Sequence, residues 1–248
     1  LAASLMNLRK PIAAQLPPTL GALDIDLRGS VKVAAAPRLR LLDVSAMLDL
    51  ARLSLHGDII AEWRKPSLQM GKALVTPPPG GFLQATSAGE EKLARLVRDG
   101  VGAAKRIADL FSGCGTFSLR LAESAHVRAV EFDKAAIDAL TRAARGAAGL
   151  KPVTAETRDL FRRPMTPQEL DLFDAVTIDP PRAGAEAQAR MLAKTRRLGA
   201  IVMASCNPAT FARDARILVD GGFSLARVTP VDHFRHSAHV ELVAVFRR

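Results

Sequence analysis

The sequence predicts an α/β protein: a doubly wound, seven-stranded sheet preceded by a small amino-terminal accessory region. Three observations lead there. Beyond residue 82, short apolar runs alternate with amphipathic stretches, the pattern of parallel strands joined by helices. Pro77-Pro78-Pro79-Gly80-Gly81 breaks the chain just ahead of that pattern. The last two apolar runs are separated by a loop with no room for a helix, so the final strand pair should be antiparallel. The expected division is an accessory α+β region over 1–81 and a larger domain over 82–248.

Residues 1–81 are weakly patterned. Residues 23–27 alternate apolar and acidic, the period of a half-exposed strand, and 31–33 repeat the alternation after Arg28-Gly29-Ser30. A hairpin is expected there. Residues 39–55 carry apolar side chains at three- and four-residue spacings and read as a helix. Ser87, followed three residues later by Glu90, has the capping-box pattern for a helix over 89–101 whose Leu93, Leu96, Val97 and Val101 share one face. Strands follow at 106–111, 127–132, 153–159, 175–179, 200–206, 223–231 and 240–246. Helices fit between them at 117–123, 134–144, 186–196 and 209–219.

Composition narrows the function. Hydrophobic residues make up 48% and charged residues 24%, as in ordinary globular proteins. No apolar run approaches the roughly 20 residues that cross a bilayer, which argues against a membrane span. The net charge of +10 is spread along the chain rather than held in a tail, and a diffuse positive field attracts polyanions such as RNA or DNA. Ten Phe, one Trp and no Tyr offer few stacking platforms, which weakens a generic single-strand binder. Cys114 and Cys206 are too few for a disulfide framework or a cysteine-only zinc site, and a reducing, cytoplasmic setting is expected. His233, His236 and His239 lack metal-ligand spacing, so no metal is expected.

Open α/β sheets place their chemistry beyond the carboxyl ends of the strands. At the first such end, Gly113 and Gly115 interrupt a turn that lets backbone approach a ligand. Glu131 ends the next strand, where an acid can accept two ribose hydroxyls. The third glycine of the dinucleotide fingerprint is missing, which favours a nucleoside cofactor without pyrophosphate. Asp159 ends the third strand, either as acceptor for an adenine amino group or as a turn aspartate. Asp179-Pro180-Pro181-Arg182 forms a stiff wall suited to a flat substrate. Cys206 ends the following strand, as a nucleophile or as a packed small residue. Glu241 interrupts an apolar strand, where an acid needs a partner, a solvent-facing position or a task.

Taken together, 109–115, 179–184, 205–214 and 239–241 resemble the bacterial RNA uracil-5-methyltransferases, over about residues 82–248. Ser205-Cys206-Asn207-Pro208-Ala209-Thr210-Phe211-Ala212-Arg213-Asp214 is closer to the ribosomal RNA branch than to the tRNA branch. The resemblance implies a methyltransferase-type, Rossmann-like sheet, S-adenosyl-L-methionine as cofactor and RNA as substrate, ribosomal RNA favoured and tRNA possible; the oligomeric state stays open, with a monomer favoured. It implies Cys206 as nucleophile and Glu241 as base. It also puts Gln84, Phe111, Thr116, Glu131, Asp159 and Asp179 around cofactor and base, with Phe82, Asp179 and Arg182 toward the substrate. The chain departs from the family at three places: Phe82-Leu83-Gln84-Ala85-Thr86 replaces Phe-x-Gln-x-Asn, Thr116 stands where Asn is common, and Phe234-Arg235-His236-Ser237 replaces Phe-Pro-x-Thr. Many relatives carry an RNA-binding barrel and a four-cysteine iron–sulfur site. The implication is a shortened chain, with any iron–sulfur cluster confined to an upstream segment. Two other readings compete. Methylation of an exocyclic base nitrogen needs no cysteine and usually puts an aromatic where Arg182 stands. An idle RNA-binding module has no use for Cys206 and Glu241.

Overall fold

The computed structural model describes residues 24–27, 41–43, 45–46, 49–84, 86–232 and 240–248. They belong to two compact units, Leu1–Gln69 with Leu74–Phe82, and Met70–Ala73 with Leu83–Arg248.

In the first unit, β1 (Asp24–Leu27) runs parallel to β2 (Arg52–Leu55), and β2 runs antiparallel to β3 (Asp58–Glu62). The described neighbour of β1 is β2, and the second strand of the expected hairpin, residues 31–33, lies outside the described residues. The expected helix over 39–55 is corrected, since 41–43 and 45–46 are helical but Arg52–Leu55 is a strand. The two-residue loop His56-Gly57 has φ of 52° and 89°, the left-handed pair that a tight hairpin requires. Arg52 is buried because its guanidinium is satisfied on two sides. Nε donates to Asp24 Oδ1 and Nη2 to the Pro77 carbonyl, each at 2.9 Å. The short strands β4 (Leu68–Met70) and β5 (Ala73–Val75) pair with each other.

The second unit is built on a seven-stranded sheet of β6 (Arg106–Leu110), β7 (His126–Glu131), β8 (Val153–Thr157), β9 (Ala175–Ile178), β10 (Ala200–Ser205), β11 (Ser224–Val231) and β12 (Glu241–Arg247). Their spatial order is β8-β7-β6-β9-β10-β12-β11. The pairs among β6 to β10 are parallel, and β12 is antiparallel to both β10 and β11, as the sequence predicts. From β6 the chain winds first toward β8 and then returns to β9 and β10. The switch between β6 and β9 opens a crevice at their carboxyl ends.

The helices are α1 (Ser87–Val101), α2 (Ser118–Leu121), α3 (Lys134–Gly146), α4 (Pro167–Leu170), α5 (Glu186–Leu192) and α6 (Pro208–Asp220). α1 begins two residues before the expected start, because Thr86 rather than Ser87 caps it: Thr86 Oγ1 accepts from Gly89 N at 3.1 Å. α5 stops four residues early, where the Asp171 carboxylate accepts from the Arg196 and Arg197 amides and draws the chain into a turn. α4 is an addition, started by a Thr166/Glu169 capping box with Pro167 in its first turn.

Apolar side chains alternate across the sheet and fill two cores. On one face Ile107, Val127, Val202, Val243 and Val245 pack with Leu93, Val97 and Val101 of α1. On the other, Leu110, Val176, Ile201, Met203 and Phe246 pack with Leu192, Ala215 and Leu218. Among the described residues, no helix is long and apolar enough to cross a membrane.

Gly100 shows how closely α1 lies on the sheet. A Cβ there would sit 2.8 Å from Val202 Cγ2 and 3.1 Å from Val245 Cγ2. Gly100→Ala gains about 1 kcal/mol of helix propensity but overpacks the core at a cost of about 1–3 kcal/mol. Urea unfolding should show a net loss of stability; a more stable variant would contradict this close packing.

Candidate active site

The crevice is built from residues that lie just past the strand ends. Leaving β6, Phe111 adopts φ +60°, a left-handed conformation that a bulky residue takes only when its surroundings impose it. Its ring meets Phe161 at 5.5 Å between centroids. Gly113 (φ +53°) and Gly115 (φ +105°) have different reasons to be glycine. A Cβ on Gly115 would lie 3.0 Å from Leu119 and Leu140, so the turn needs glycine to pack on α2 and α3. A Cβ on Gly113 would meet nothing within 4 Å, so this residue faces open space.

Two acids hold this turn in place. Asp109 is fully buried in β6, and its carboxylate accepts from Ser118 Oγ at 2.5 Å and Thr177 Oγ1 at 2.6 Å. Burial pushes its pKa up to about 6 against those two donors. Glu131 ends β7 and accepts from the amides of Gly113 (3.0 Å), Phe132 (2.7 Å) and Asp133 (2.9 Å). That carboxylate clips the glycine turn to the neighbouring strand. Beside it, Ser112 Oγ is buried without a hydrogen-bond partner among the described residues, and Phe132 is 70% exposed. Cys114 is buried in the same turn, which pushes its thiol up to about 11 and leaves it inert near neutral pH. The Asp159 carboxylate closes a turn by accepting from the Phe161 and Arg162 amides.

Across the switch point, β9, β10 and β12 bring up Asp179, Cys206 and Glu241. Ile178 pairs with Leu110, and the next residue, Asp179, donates its backbone N–H to the Leu110 carbonyl at 3.2 Å. Ser205 pairs with Leu242, so the next step along that antiparallel register brings Cys206 level with Glu241. Burial, then the Glu241 and Asp109 carboxylates, push Asp179 up to about 8. Glu241 is buried and raised by desolvation. The Cys206 thiol is raised by burial first, then by Glu241 and Asp179, and Arg182 opposes that rise. The site thus combines a half-buried thiol, two carboxyl groups biased toward protonation and one opposing cation.

The other sequence candidates are less engaged. Gln84 is half-buried, and its side chain makes no hydrogen bond among the described residues. Thr116 contributes its carbonyl, which accepts from Arg120 Nη1 at 2.8 Å. Phe82 belongs to the first compact unit and is 79% exposed. The three histidines lie outside the described residues. Sequence reasoning passed over Asp109, Ser112, Phe132 and Asp214. Asp109 had a visible signal, an acid inside an apolar run, but its partners Ser118 and Thr177 are set by the tertiary fold.

Asp179 makes stability depend on pH. A carboxyl raised from 3.8 to about 8 on folding stabilises the fold below its unfolded value, and that contribution is lost as pH rises through the folded one. Asp179→Asn removes the titration. Its melting temperature relative to the wild type should therefore climb from pH about 5 to pH about 9. A difference that stays constant over that range would contradict a carboxyl raised on folding.

Comparison with known proteins places this geometry. Residues 78–248 match the family described as tRNA (Uracil-5-)-methyltransferase. An uncharacterized RNA methyltransferase of Brucella suis is 51% identical over 230 residues, covering 93% of this chain and 55% of the relative. The 23S rRNA (uracil(1939)-C(5))-methyltransferase RlmD of Chromohalobacter salexigens is 38% identical over 176 residues, 68% of this chain and 35% of the relative. The crystal structure of Pyrococcus abyssi tRNA (uracil-54, C5)-methyltransferase in complex with S-adenosyl-L-homocysteine superposes with a TM-score of 0.65 at 29% identity, covering 79% of this chain and 50% of that one. The chain thus spans about half the length of the curated relatives it matches over most of its length, and it belongs to the tRNA (uracil-5-)-methyltransferase family of RNA methyltransferases.

Proposed function

We propose that this chain carries the catalytic part of an S-adenosyl-L-methionine-dependent enzyme that methylates carbon 5 of a uridine in RNA, 23S ribosomal RNA being favoured, through a covalent Cys206–uracil adduct. One observation carries the reading: the register that sets Cys206 level with Glu241, with Asp179 ending the strand beside β10. The relative named for uracil-C5 methylation of 23S rRNA supports the ribosomal target. The neighbour solved with S-adenosyl-L-homocysteine supports the cofactor.

The residues present fit such a cofactor. Open space at Gly113, a Ser112 hydroxyl without a hydrogen-bond partner among the described residues and the exposed Phe132 side chain support a cofactor at this turn. Glu131, Phe111, Gly113, Gly115, Thr116, Asp159 and Gln84 are the residues proposed to surround it, with Asp179 shared with the base. When bound, S-adenosyl-L-methionine supplies an electrophilic methyl group.

The chain's own residues supply the rest. Carbon 5 of uracil is a poor nucleophile. The Cys206 thiolate adds to carbon 6, and the displaced electron pair moves onto O4 as an enolate, which makes carbon 5 nucleophilic. Asp179, with a pKa of about 8, is a neutral acid near pH 7. Its O–H matches O4 and its carbonyl matches N3–H, the two edges of the imide. Once carbon 5 carries its methyl, Glu241 removes the hydrogen left there. The freed electron pair restores the ring double bond and expels the Cys206 sulfur. The base must be unstacked to enter, because a duplex hides this face. Arg182 and, from the first unit, Phe82 are the residues proposed to contact RNA.

RNA containing 5-fluorouridine tests the adduct, since fluorine cannot leave as a proton. Incubation with S-adenosyl-L-methionine should trap a protein–RNA complex visible by intact mass, and Cys206→Ala should abolish it. Methylation of ordinary RNA without a trapped complex would exclude the thiolate route.

A further inference from the structure

The loop between β9 and α5 has little means of holding itself. Pro180 and Pro181 have no N–H to donate, and the loop's internal backbone bond runs from Gly184 N to the Pro181 carbonyl at 2.8 Å. Three of its other backbone groups are taken up by side chains of α6 and its cap. The Arg182 carbonyl accepts from Asn207 Nδ2 at 3.0 Å and from Thr210 Oγ1 at 3.2 Å. The Ala183 carbonyl accepts from Arg213 Nη2 at 3.1 Å, and Ala185 N donates to Asp214 Oδ2 at 2.6 Å. Positions 207, 210, 213 and 214 recur at helical spacing and share one face.

The fastening is tight. Asp214 is 1% exposed, and Arg213 Nε donates to its second oxygen at 2.8 Å. Gly184, at φ +76°, lies so near this pair that a Cβ would be 2.5 Å from Arg213 Nη2 and 2.7 Å from Asp214 Oδ2. Asn207 does two jobs with one side chain. Its Oδ1 caps α6 by accepting from Ala209 N at 3.0 Å, while its Nδ2 holds the Arg182 carbonyl. Asn207 directly follows Cys206, so the turn that aims the thiol is tied to the loop that carries Arg182.

We propose that Asn207, Thr210 and Asp214 are positioning residues, which lock the 180–185 loop onto α6 and so hold Arg182 against the turn that carries Cys206. The inference rests on Cys206 being the attacking group. Its physical reason is charge balance. Glu241 from β12 and Asp179 from β9 both disfavour a thiolate at Cys206, whereas Arg182 favours it. A cation on an untethered loop would spend much of its time away from the sulfur, and its effect would be screened by water. Fixing the backbone at Arg182, Ala183 and Ala185 confines the side chain that does the offsetting.

Alkylation of Cys206 by iodoacetamide near neutral pH tests this, since the thiolate is the reacting form. Mass spectrometry of the Cys206 peptide gives the rate without RNA or turnover, so failure of the proposed methylation does not affect the readout. Thr210→Val keeps the side-chain shape and removes one donor to the Arg182 carbonyl. It should slow alkylation roughly threefold, the scale of one partly screened charge pair, with thermal unfolding unchanged. Arg182→Met should slow it at least as much, and adding Thr210→Val to Arg182→Met should slow it no further. Asp214→Asn should follow Thr210→Val; if that variant does not fold, Thr210→Val carries the test. An unchanged rate in Thr210→Val or in Arg182→Met, or additive slowing in the double variant, would overturn the proposal.

Discussion

The pairing of β12 on β10, with Ser205 opposite Leu242, is the constraint on which the rest of the site depends. Side chains alternate faces along a strand, so a slip of one residue would turn Glu241 into the opposite core and leave Cys206 level with an apolar residue. The antiparallel insertion of β12 between β10 and β11 is what allows an acid at the start of one strand to meet a thiol at the end of another. A wholly parallel sheet would put the beginning of that strand at the far edge. Burial specifies the register, because Val243, Val245 and Phe246 fill cores on both faces of the sheet.

The same burial makes the site costly. Asp109, Asp179 and Glu241 all titrate above the ordinary carboxylate range, and each is raised chiefly by desolvation. They differ in how far the fold compensates them. Asp109 has two hydroxyl donors and acts as a brace between β6, α2 and β9. The Asp179 carboxyl has no side-chain donor among the described residues, which agrees with the proposal that it exchanges partners with a bound base. Poorly compensated acids gathered at strand ends are a common mark of functional sites, where stability is traded for a pre-set chemistry.

The sheet was legible in the sequence because each strand is a short apolar run bounded by turn residues, and because Phe111, Glu131, Asp179 and Cys206 stand where those runs give out. Glu241 was legible as an acid in an apolar strand. Other features were not, for physical reasons. Arg52 to Leu55 fits helical and strand spacings alike, and only pairing with β1 and β3 decides between them. Thr86 and Ser87 are both good caps, and a single bond to Gly89 selects the first. The motif around Cys206 was visible as a whole, but the division of labour inside it was not. Asn207, Thr210, Arg213 and Asp214 fasten a loop about thirty residues away in sequence, and no local pattern reveals a partner at that distance.

The proposed mechanism gives the thiol and the carboxyl brought level by the β10–β12 register separate halves of one reaction. RNA carrying tritium on carbon 5 of uridine, supplied with S-adenosyl-L-methionine, separates those halves. The wild-type protein should release tritium in step with methyl incorporation. Glu241→Gln should incorporate methyl, release little tritium and remain covalently attached to the RNA. Tritium release at the wild-type rate by Glu241→Gln, with no retained adduct, would contradict the account.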